Sequence, residues 1–418
     1  MLEKLSVILV SFLVFLAFTN YLNVIAFGEF SYFLAFFSLL IPFCSLGFNS
    51  MITREVLSHY QPHIVVSNAF FLRFFLGLCF AFGIIIYDTF FTELKSEAEF
   101  HILLLMVAFS AGQVFDFAFQ AFKQNHYVII VRFFVLFVGA AVKLYGMSAD
   151  WLMPSFLLVV AAEYLFTNCA LAVLFRIKQP IYSQLSFDVD TCKSLLRHGV
   201  WLYLSAIAAI LYLKLDQVML RQLVNPIEVA HYAVASKFTE LFFFVPIALV
   251  TAYFPNMLET AKHDPVRYQV YLQRISTFLL YLSLLIIIGI LLLNNVLVST
   301  LFPPEYIAAL PIITIQIWSL LFVFQRALIS KWILVEGIFR FSLLSQGAGA
   351  IINIVLNLLL IPHYGGVGAA WATVGSHAVS TTLILFYSAQ TRNMLHIQWQ
   401  SLLWPFLQVR RYFSDKSL

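Results

Sequence analysis

The sequence is poor in charge and in cysteine. Only 11% of its 418 residues are Asp, Glu, Lys or Arg, against about 25% in soluble globular proteins, and 62% are hydrophobic. Because polar side chains must cover the surface of a soluble domain, this composition excludes a soluble enzyme, a disordered chain and a protein that binds nucleic acid. Four scattered cysteines without a CxxC pair predict free thiols and no disulfide framework.

Motifs for nucleotide or metal chemistry are also missing. The chain has no Walker A motif, no GxGxxG fingerprint and no HExxH motif, and its ten histidines show no ligand spacing. Asp188-Val189-Asp190 resembles a metal–nucleotide motif, but we interpret it as a solvated loop because its surroundings are short and basic. We therefore expect a protein that is not an enzyme, with no catalytic residues, no cofactor and no metal site.

The apolar residues form runs with a helical pattern, each long enough to cross a bilayer, which takes about 20 residues. The sequence predicts an all-α polytopic membrane protein with about twelve transmembrane helices. The predicted spans are 5–26, 32–51, 67–90, 101–121, 127–147, 152–175, 198–221, 233–254, 273–296, 308–330, 341–362 and 367–388.

Lys and Arg residues predict the orientation of these spans through the positive-inside rule. With the N-terminus in the cytoplasm, the outer loops hold only Lys95 and Arg221, and the inner segments hold basic residues from Lys4 to Lys416. This asymmetry predicts a multi-pass membrane protein with both termini in the cytoplasm.

The two halves of the chain show a weak internal repeat. Glu29-Phe30-Ser31-Tyr32 near span 2 is matched by Glu228 to Tyr232 near span 8, and both spans contain a proline, Pro42 or Pro246. Coincidence between apolar runs is the alternative. The repeat predicts two pseudo-symmetric lobes of six helices. The predicted boundaries are 1–176 for the N-terminal lobe, 177–197 for a cytoplasmic linker, 198–388 for the C-terminal lobe and 389–418 for a cytoplasmic tail.

Polar residues recur at helical spacing inside several spans, so each set lies on one helix face. A charge at the bilayer centre costs about 2.5–3.5 kcal/mol, which predicts that these faces point away from lipid. Helix–helix contact is the structural alternative for the uncharged residues. The candidates for lining a polar interior are Asn49, Gln113, Asp116, Glu163, Gln346, Asn353 and Asn357.

Two groups of charged residues carry the functional hypotheses. Arg54, Arg132 and Arg326 lie toward the predicted inner mouth, where arginine suits an anionic headgroup such as a pyrophosphate. For Arg73 we favour snorkelling to the cytoplasmic surface instead. Asp216 in span 7 and Lys237 with Glu240 in span 8 form a predicted coupling or gating cluster, with a buried structural ion pair as the alternative.

Three segments carry a resemblance to a known family. They are Phe27–Tyr32 with Leu46–Asn49 and Arg54-Glu55, then Lys214–Leu220 with Tyr232–Glu240, Pro246 and Phe254-Pro255, and finally Asn353–Asn357 with Ile361–Thr373. Together they resemble the polysaccharide transport family of the multidrug/oligosaccharidyl-lipid/polysaccharide (MOP) exporter superfamily, and the nearest type is the Wzx O-antigen flippase. Asp216, Lys237 and Glu240 match charged positions of that family.

The resemblance implies two six-helix lobes around a central cavity that opens alternately to each side. The implied substrate is an undecaprenyl-pyrophosphate-linked glycan, moved from the cytoplasmic to the periplasmic leaflet. Membrane lipids, a polysaccharide polymerase and a chain-length regulator are the implied partners, and nucleic acid is not one. The chain departs from related flippases in span 1, which has no basic residue beyond Lys4.

Two other classes of function stay open. A small-molecule or drug antiporter of the same superfamily shares the twelve-helix frame. A polytopic polysaccharide polymerase or ligase is the other alternative, although such enzymes usually need a large external loop and the predicted outer loops are short.

Overall fold

The computed structural model describes residues 2–45, 62–91, 98–179 and 186–414, and these residues form helices joined by short turns. The chain divides into two compact units, Met1–Arg221 and Gln222–Leu418. The described residues contain no strand, which confirms the predicted all-α class.

In the described residues, the first unit has eight α-helices and one short 3₁₀ helix, Ala108–Gly112. The α-helices are α1 (Leu2–Tyr21), α2 (Val24–Ser45), α3 (Pro62–Phe91), α4 (Ala98–Leu105), α5 (Gln113–Ala121), α6 (Asn125–Ser148), α7 (Met153–Lys178) and α8 (Val189–Leu223), of which α8 runs into the second unit at its last two residues.

As far as residue 414, where the description ends, the second unit has seven α-helices and two 3₁₀ helices, Pro304–Ala309 and Leu383–Tyr387. The α-helices are α9 (Pro226–Glu240), α10 (Phe244–His263), α11 (Pro265–Leu301), α12 (Leu310–Gln316), α13 (Ser319–Glu336), α14 (Phe339–Thr381) and α15 (Ala389–Ser414).

The helices agree with about twelve membrane spans. Within the described ranges, nine helical segments are long and apolar enough to cross a bilayer, and a bent pair of segments adds a tenth. The shorter apolar helix Ser6–Tyr21 occupies the position of predicted span 1. The segment Arg340–Tyr387 covers both predicted spans 11 and 12. A break in its helix at Gly365 separates the two spans.

Local capping sets several helix boundaries. Asn225 and Asp264 accept hydrogen bonds from the backbone N–H groups of Glu228 and Arg267, and each cap is followed at once by a proline. Asn23 accepts likewise from Ala26. The predicted boundary between spans 1 and 2, at residues 26 to 32, was therefore wrong. The Asn23 cap lies inside the predicted span 1, and α2 begins directly after it at Val24.

Asp188 has the same capping role. Its carboxylate accepts from the backbone N–H of Thr191 at 2.8 Å and from the Thr191 hydroxyl at the start of α8. The helices α7 and α8 extend into both ends of the predicted linker 177–197. The lobe boundaries themselves stay a prediction.

Predicted spans 4 and 10, the fourth of each predicted six-span half, each contain a break in the helix. In the first unit, a 3₁₀ segment, Ala108–Gly112, separates α4 from α5. In the second unit, α12 and α13 meet at Ile317 and Trp318 with a bend of 48° between Pro304–Gln316 and Ser319–Glu336. The shared position of the break within each half favours the internal repeat.

Apolar packing holds each unit together. In the first unit, buried side chains of α3, α5, α6 and α7 form one core, in which the rings of Phe119 and Phe175 meet edge to face. In the second unit, α10, α11 and α13 share a core with the start of α15, including Phe324, Trp332 and Met394. Inside a bilayer such packing is stabilised by van der Waals contact between the helices, because lipid tails are as apolar as these side chains.

Candidate functional site

An arginine is fixed against a buried carboxylate in the first unit. Arg132 of α6 donates to Asp116 of α5, and the amide of Gln120 donates to the other Asp116 oxygen at 3.1 Å. The Asp116 side chain is almost fully buried, whereas that of Arg132 is 53% exposed. Asp116 therefore orients the guanidinium while part of it still faces outward, a suitable arrangement for binding an anion.

A second ion pair joins α6 to α7. The Lys143 amine lies 2.7 Å from both carboxylate oxygens of Glu163, and both side chains are largely buried. Gly139 makes this approach possible, because a Cβ atom there would lie 1.6 Å from Glu163 Oε1. Sequence reasoning placed Glu163 on a polar face but assigned it no partner. The small residue one turn before Lys143 was the signal for the close packing.

Arg73 is the functional candidate that sequence reasoning missed. Its side chain is fully buried in α3, and its Nε donates to the backbone carbonyl of Ser45 at 3.0 Å. The expectation that Arg73 snorkels to the surface was wrong, because a backbone carbonyl of the neighbouring helix α2 accepts a hydrogen bond from its guanidinium inside the unit.

Gln113, one of the residues predicted to line a polar interior, donates to the Tyr164 hydroxyl at 3.1 Å and so joins α5 to α7.

A third ion pair lies between the N-terminal part of α2 and the end of α8. The guanidinium of Arg221 lies 2.7–2.8 Å from Glu29 Oε1. The sequence analysis assigned both residues to outer loops, but each belongs to a helix. The pair thus ties the beginning of α2 to the end of α8.

In the second unit, Arg326 is buried. Its Nη1 donates to the Ser345 hydroxyl at 2.8 Å and to the backbone carbonyl of Ser380 at 3.2 Å. These two partners lie on opposite sides of the Gly365 break, so Arg326 joins both halves of α14 to α13. Arg326 therefore lies inside the unit, and its role in binding a headgroup stays a prediction.

The amide residues of span 11 are buried as well. Asn357 donates to Asn353 at 3.0 Å, and Gln346 lies two turns before Asn353 on the same helix with its carbonyl oxygen buried. Nearby in the same unit, the hydroxyls of Tyr232 and Thr373 are 2.8 Å apart. Here the polar stripe predicted from spacing lies inside the unit.

The predicted coupling cluster is divided between the units. Asp216 is buried in α8 of the first unit, and Lys237 and Glu240 are partly buried in α9 and belong to the second. Their meeting stays a prediction. Asn49 and Arg54 lie outside the described residues. Within the described ranges, no group of three or more His, Cys, Asp or Glu side chains is arranged to hold a metal ion.

The fold and these buried polar groups define a class. The described chain is a multi-pass helical membrane protein that holds charged side chains within its helix bundles. The sequence model described as "Polysaccharide biosynthesis protein" matches residues 1–261, and the model of the MatE family matches residues 202–359. The chain belongs to the polysaccharide biosynthesis protein family, and together the two matches and the fold place it in the MOP superfamily.

Solved structures with this fold include two kinds of transporter. The chain is similar to the lipid II flippase MurJ in an inward closed conformation, with a TM-score of 0.73, 14% identity and coverage of 99% of this chain and 92% of that one. It is also similar to an inward-facing multidrug resistance MATE transporter of the MOP superfamily, with a TM-score of 0.74, 12% identity and coverage of 93% and 95%. At these identities the likeness shows the fold.

A curated relative is an uncharacterized membrane protein, MJ1068, of Methanocaldococcus jannaschii. It is 21% identical over 403 residues, which cover 87% of this chain and 78% of the relative.

Proposed function

We propose that this protein is a flippase for an undecaprenyl-pyrophosphate-linked oligosaccharide, such as an O-antigen or similar repeat unit. It moves the substrate from the cytoplasmic to the periplasmic leaflet of a bacterial inner membrane by alternating access around a central cavity. The family match to "Polysaccharide biosynthesis protein" over residues 1–261 supports the substrate class. The fold shared with a lipid II flippase supports the movement of a lipid-linked substrate between leaflets.

The observation that carries the proposal is the Arg132–Asp116 pair. A glycan pyrophosphate cannot cross hydrocarbon unaided, so a transporter must replace its hydration with polar groups. Arg132 offers a charged, half-exposed guanidinium whose orientation is fixed by a buried carboxylate. Such a group binds phosphate oxygens in a forked geometry. Arg54 and Arg326 stay secondary candidates for the same headgroup, and Arg326 needs α13 and α14 to part before it becomes accessible.

The energy source belongs to the proposal too. The chain has no ATP-binding motif, so an ion gradient or the removal of product drives transport. We assign coupling or gating to Asp216, Lys237 and Glu240, since neighbouring opposite charges alter each other's protonation. A polysaccharide polymerase and its chain-length regulator are the proposed consumers of the flipped unit.

Deletion of the gene tests the proposal. The mutant should lose the surface glycan and accumulate its lipid-linked precursor on the cytoplasmic side, and both defects should be reversed by the wild-type gene. Normal glycan in the deletion strain, with no precursor accumulated, would defeat the assignment. A matched control is a strain without the polymerase, which should carry precursor on the periplasmic side.

A drug antiporter is the second candidate, because the MatE model matches residues 202–359 and a multidrug transporter shares the fold. Cationic dye efflux in the same deletion strain separates the two. A loss of efflux with intact glycan supports the antiporter.

A further inference from the structure

The last helix, α15, lies beyond the twelve predicted spans and is packed against the second unit. Within residues 389–403, one face of the helix is buried. It carries Met394, Ile397, Gln398 and Ser401, at the spacing i, i+3, i+4, i+7 that places side chains on one side of a helix. The apolar members belong to the same core as α11 and α13.

A polar network fastens this buried face to two transmembrane helices. The Ser401 hydroxyl donates to Ser276 of α11 at 2.9 Å, and the Gln273 amide lies 3.0 Å from the same hydroxyl. Ser276 in turn donates to Gln325 of α13 at 3.0 Å. The helix is therefore held at a fixed place beside membrane spans and does not extend away as a soluble tail.

The outer side of α15 is divided into two stripes. Trp399, Leu402 and Leu403, at i, i+3 and i+4, have 53%, 50% and 51% of their surface exposed. Asn393 and Gln400, at i and i+7, form a polar stripe roughly 160–180° around the helix from Leu402. His396, which is 2.7 Å from Gln400, lies between this polar stripe and the apolar one. One edge of the helix is thus apolar and the other polar.

This division into protein-facing, apolar and polar sectors is the pattern of a helix that lies in the plane of a membrane. The packing partner α11 is itself a span of the bilayer, which puts α15 beside lipid. Tryptophan favours the boundary between acyl chains and headgroups. The α15 sequence also contains Arg392, Arg410 and Arg411 and no Asp or Glu, which suits a leaflet with anionic headgroups.

We propose that α15 is an interfacial helix whose Trp399, Leu402 and Leu403 insert into the lipid surface. The inserted stripe and the Ser401 network together hold the adjoining ends of α11 and α13 at a fixed depth. This inference does not depend on what the protein transports.

Spin labels on the full-length protein in phosphatidylethanolamine–phosphatidylglycerol nanodiscs test the proposal. The exposed thiols are first removed by Cys79→Ser and Cys169→Ser. Labels are then attached to Leu402→Cys on the apolar stripe and, as the matched control, to Asn393→Cys on the polar stripe. The label at position 402 should collide severalfold more with oxygen than with a water-soluble nickel chelate, and the label at position 393 should show the reverse.

Two results overturn the proposal. Nickel access at position 402 equal to that at position 393 places the apolar stripe in water, and low access of position 402 to both reagents means that another protein copy covers it. If the labelled chains fail to fold, quenching by brominated lipids compares the wild type with Trp399→Phe, which removes one of seven tryptophans. Equal quenching of the two proteins also overturns the proposal.

Discussion

The Glu228 carboxylate of α9 accepts a hydrogen bond from the backbone N–H of Gly366 at 2.7 Å, one residue after the break in α14. The first backbone N–H groups of a helix have no partner within it, and a negative charge there is favourable. Glu228 thus caps the second half of α14 and ties the break to another helix of the same unit.

Gly365 is required at this break. Its φ of 54° and ψ of −133° suit glycine alone, and a Cβ atom would lie 2.7 Å from Glu228 Oε2. We expect Gly365→Ala to cost about 1–3 kcal/mol and to lower the melting temperature of the purified protein. Gly347→Ala in the same helix is the control, because a Cβ atom there meets nothing within 4 Å. Equal melting temperatures for the two variants would contradict the assignment.

The Gly139 contact should be coupled to the ion pair beside it. Gly139→Ala displaces the Glu163 carboxylate from Lys143, and separating this largely buried pair should cost about 1–3 kcal/mol after allowance for its partial exposure. The same change made in a Lys143→Met, Glu163→Gln background should cost much less, since no charges remain to be separated. A thermal-stability cycle over the four proteins measures this coupling. Additive effects would show that the steric clash acts alone.

Substitutions of Arg132 and Arg326 should have different effects, the first on glycan export and the second on folding. Arg326→Ala leaves Ser345 and the Ser380 carbonyl without their charged donor inside the unit, at a cost of about 1.5–3 kcal/mol for each hydrogen bond to a charged group, and should lower the amount of folded protein. Arg132→Lys keeps a cation beside Asp116, so the protein should fold normally while glycan export falls, because the guanidinium fork is lost. Surface glycan divided by membrane-inserted protein separates the two effects. Full export by Arg132→Lys would argue against phosphate binding there.

The orientation of the chain predicts on which side of the membrane three sites lie. A reporter inserted at Asp264, in the turn between α10 and α11, and one fused after Leu418 should both report cytoplasm, because basic residues collect on that side. An insertion at Asp150, between α6 and α7, should report the periplasm. A periplasmic signal from either of the first two sites would refute the topology.

The charged residues of spans 7 and 8 permit a test of their role. A bare buried charge costs far more than a paired one, so Lys237→Met alone should impair folding more than Lys237→Met combined with Asp216→Asn. If the cluster couples transport, the double variant should fold and insert but fail to export glycan. Restored export in the double variant would reduce the cluster to a structural ion pair.

Much of the architecture is predictable because the bilayer constrains it strongly. Runs of apolar residues must form helices in lipid, where every backbone group needs an internal hydrogen bond. The spans and the polar face of Asn353 and Asn357 follow from that rule. Helix breaks inside a span are harder to predict: the 3₁₀ segment before α5 lies within predicted span 4, whereas the break at Gly365 falls in the link predicted between spans 11 and 12.

The pairing of the charged side chains could not be read from spacing. Asp116 and Arg132 are 16 residues apart and Glu29 and Arg221 are 192 apart, so only the packing of helices brings them together. The burial of Arg73 has the same origin, because its partner is a backbone carbonyl and carbonyls have no signature in sequence.

By itself the sequence determined that this is a helical membrane protein with polar faces inside its spans, since hydropathy and helical periodicity are local properties. The tertiary structure decided which of those polar groups meet, that Arg326 is enclosed while Arg132 stays half-exposed, and that α15 packs beside spans. Those outcomes depend on how helices that are distant in sequence pack against one another, which no local pattern of residues encodes.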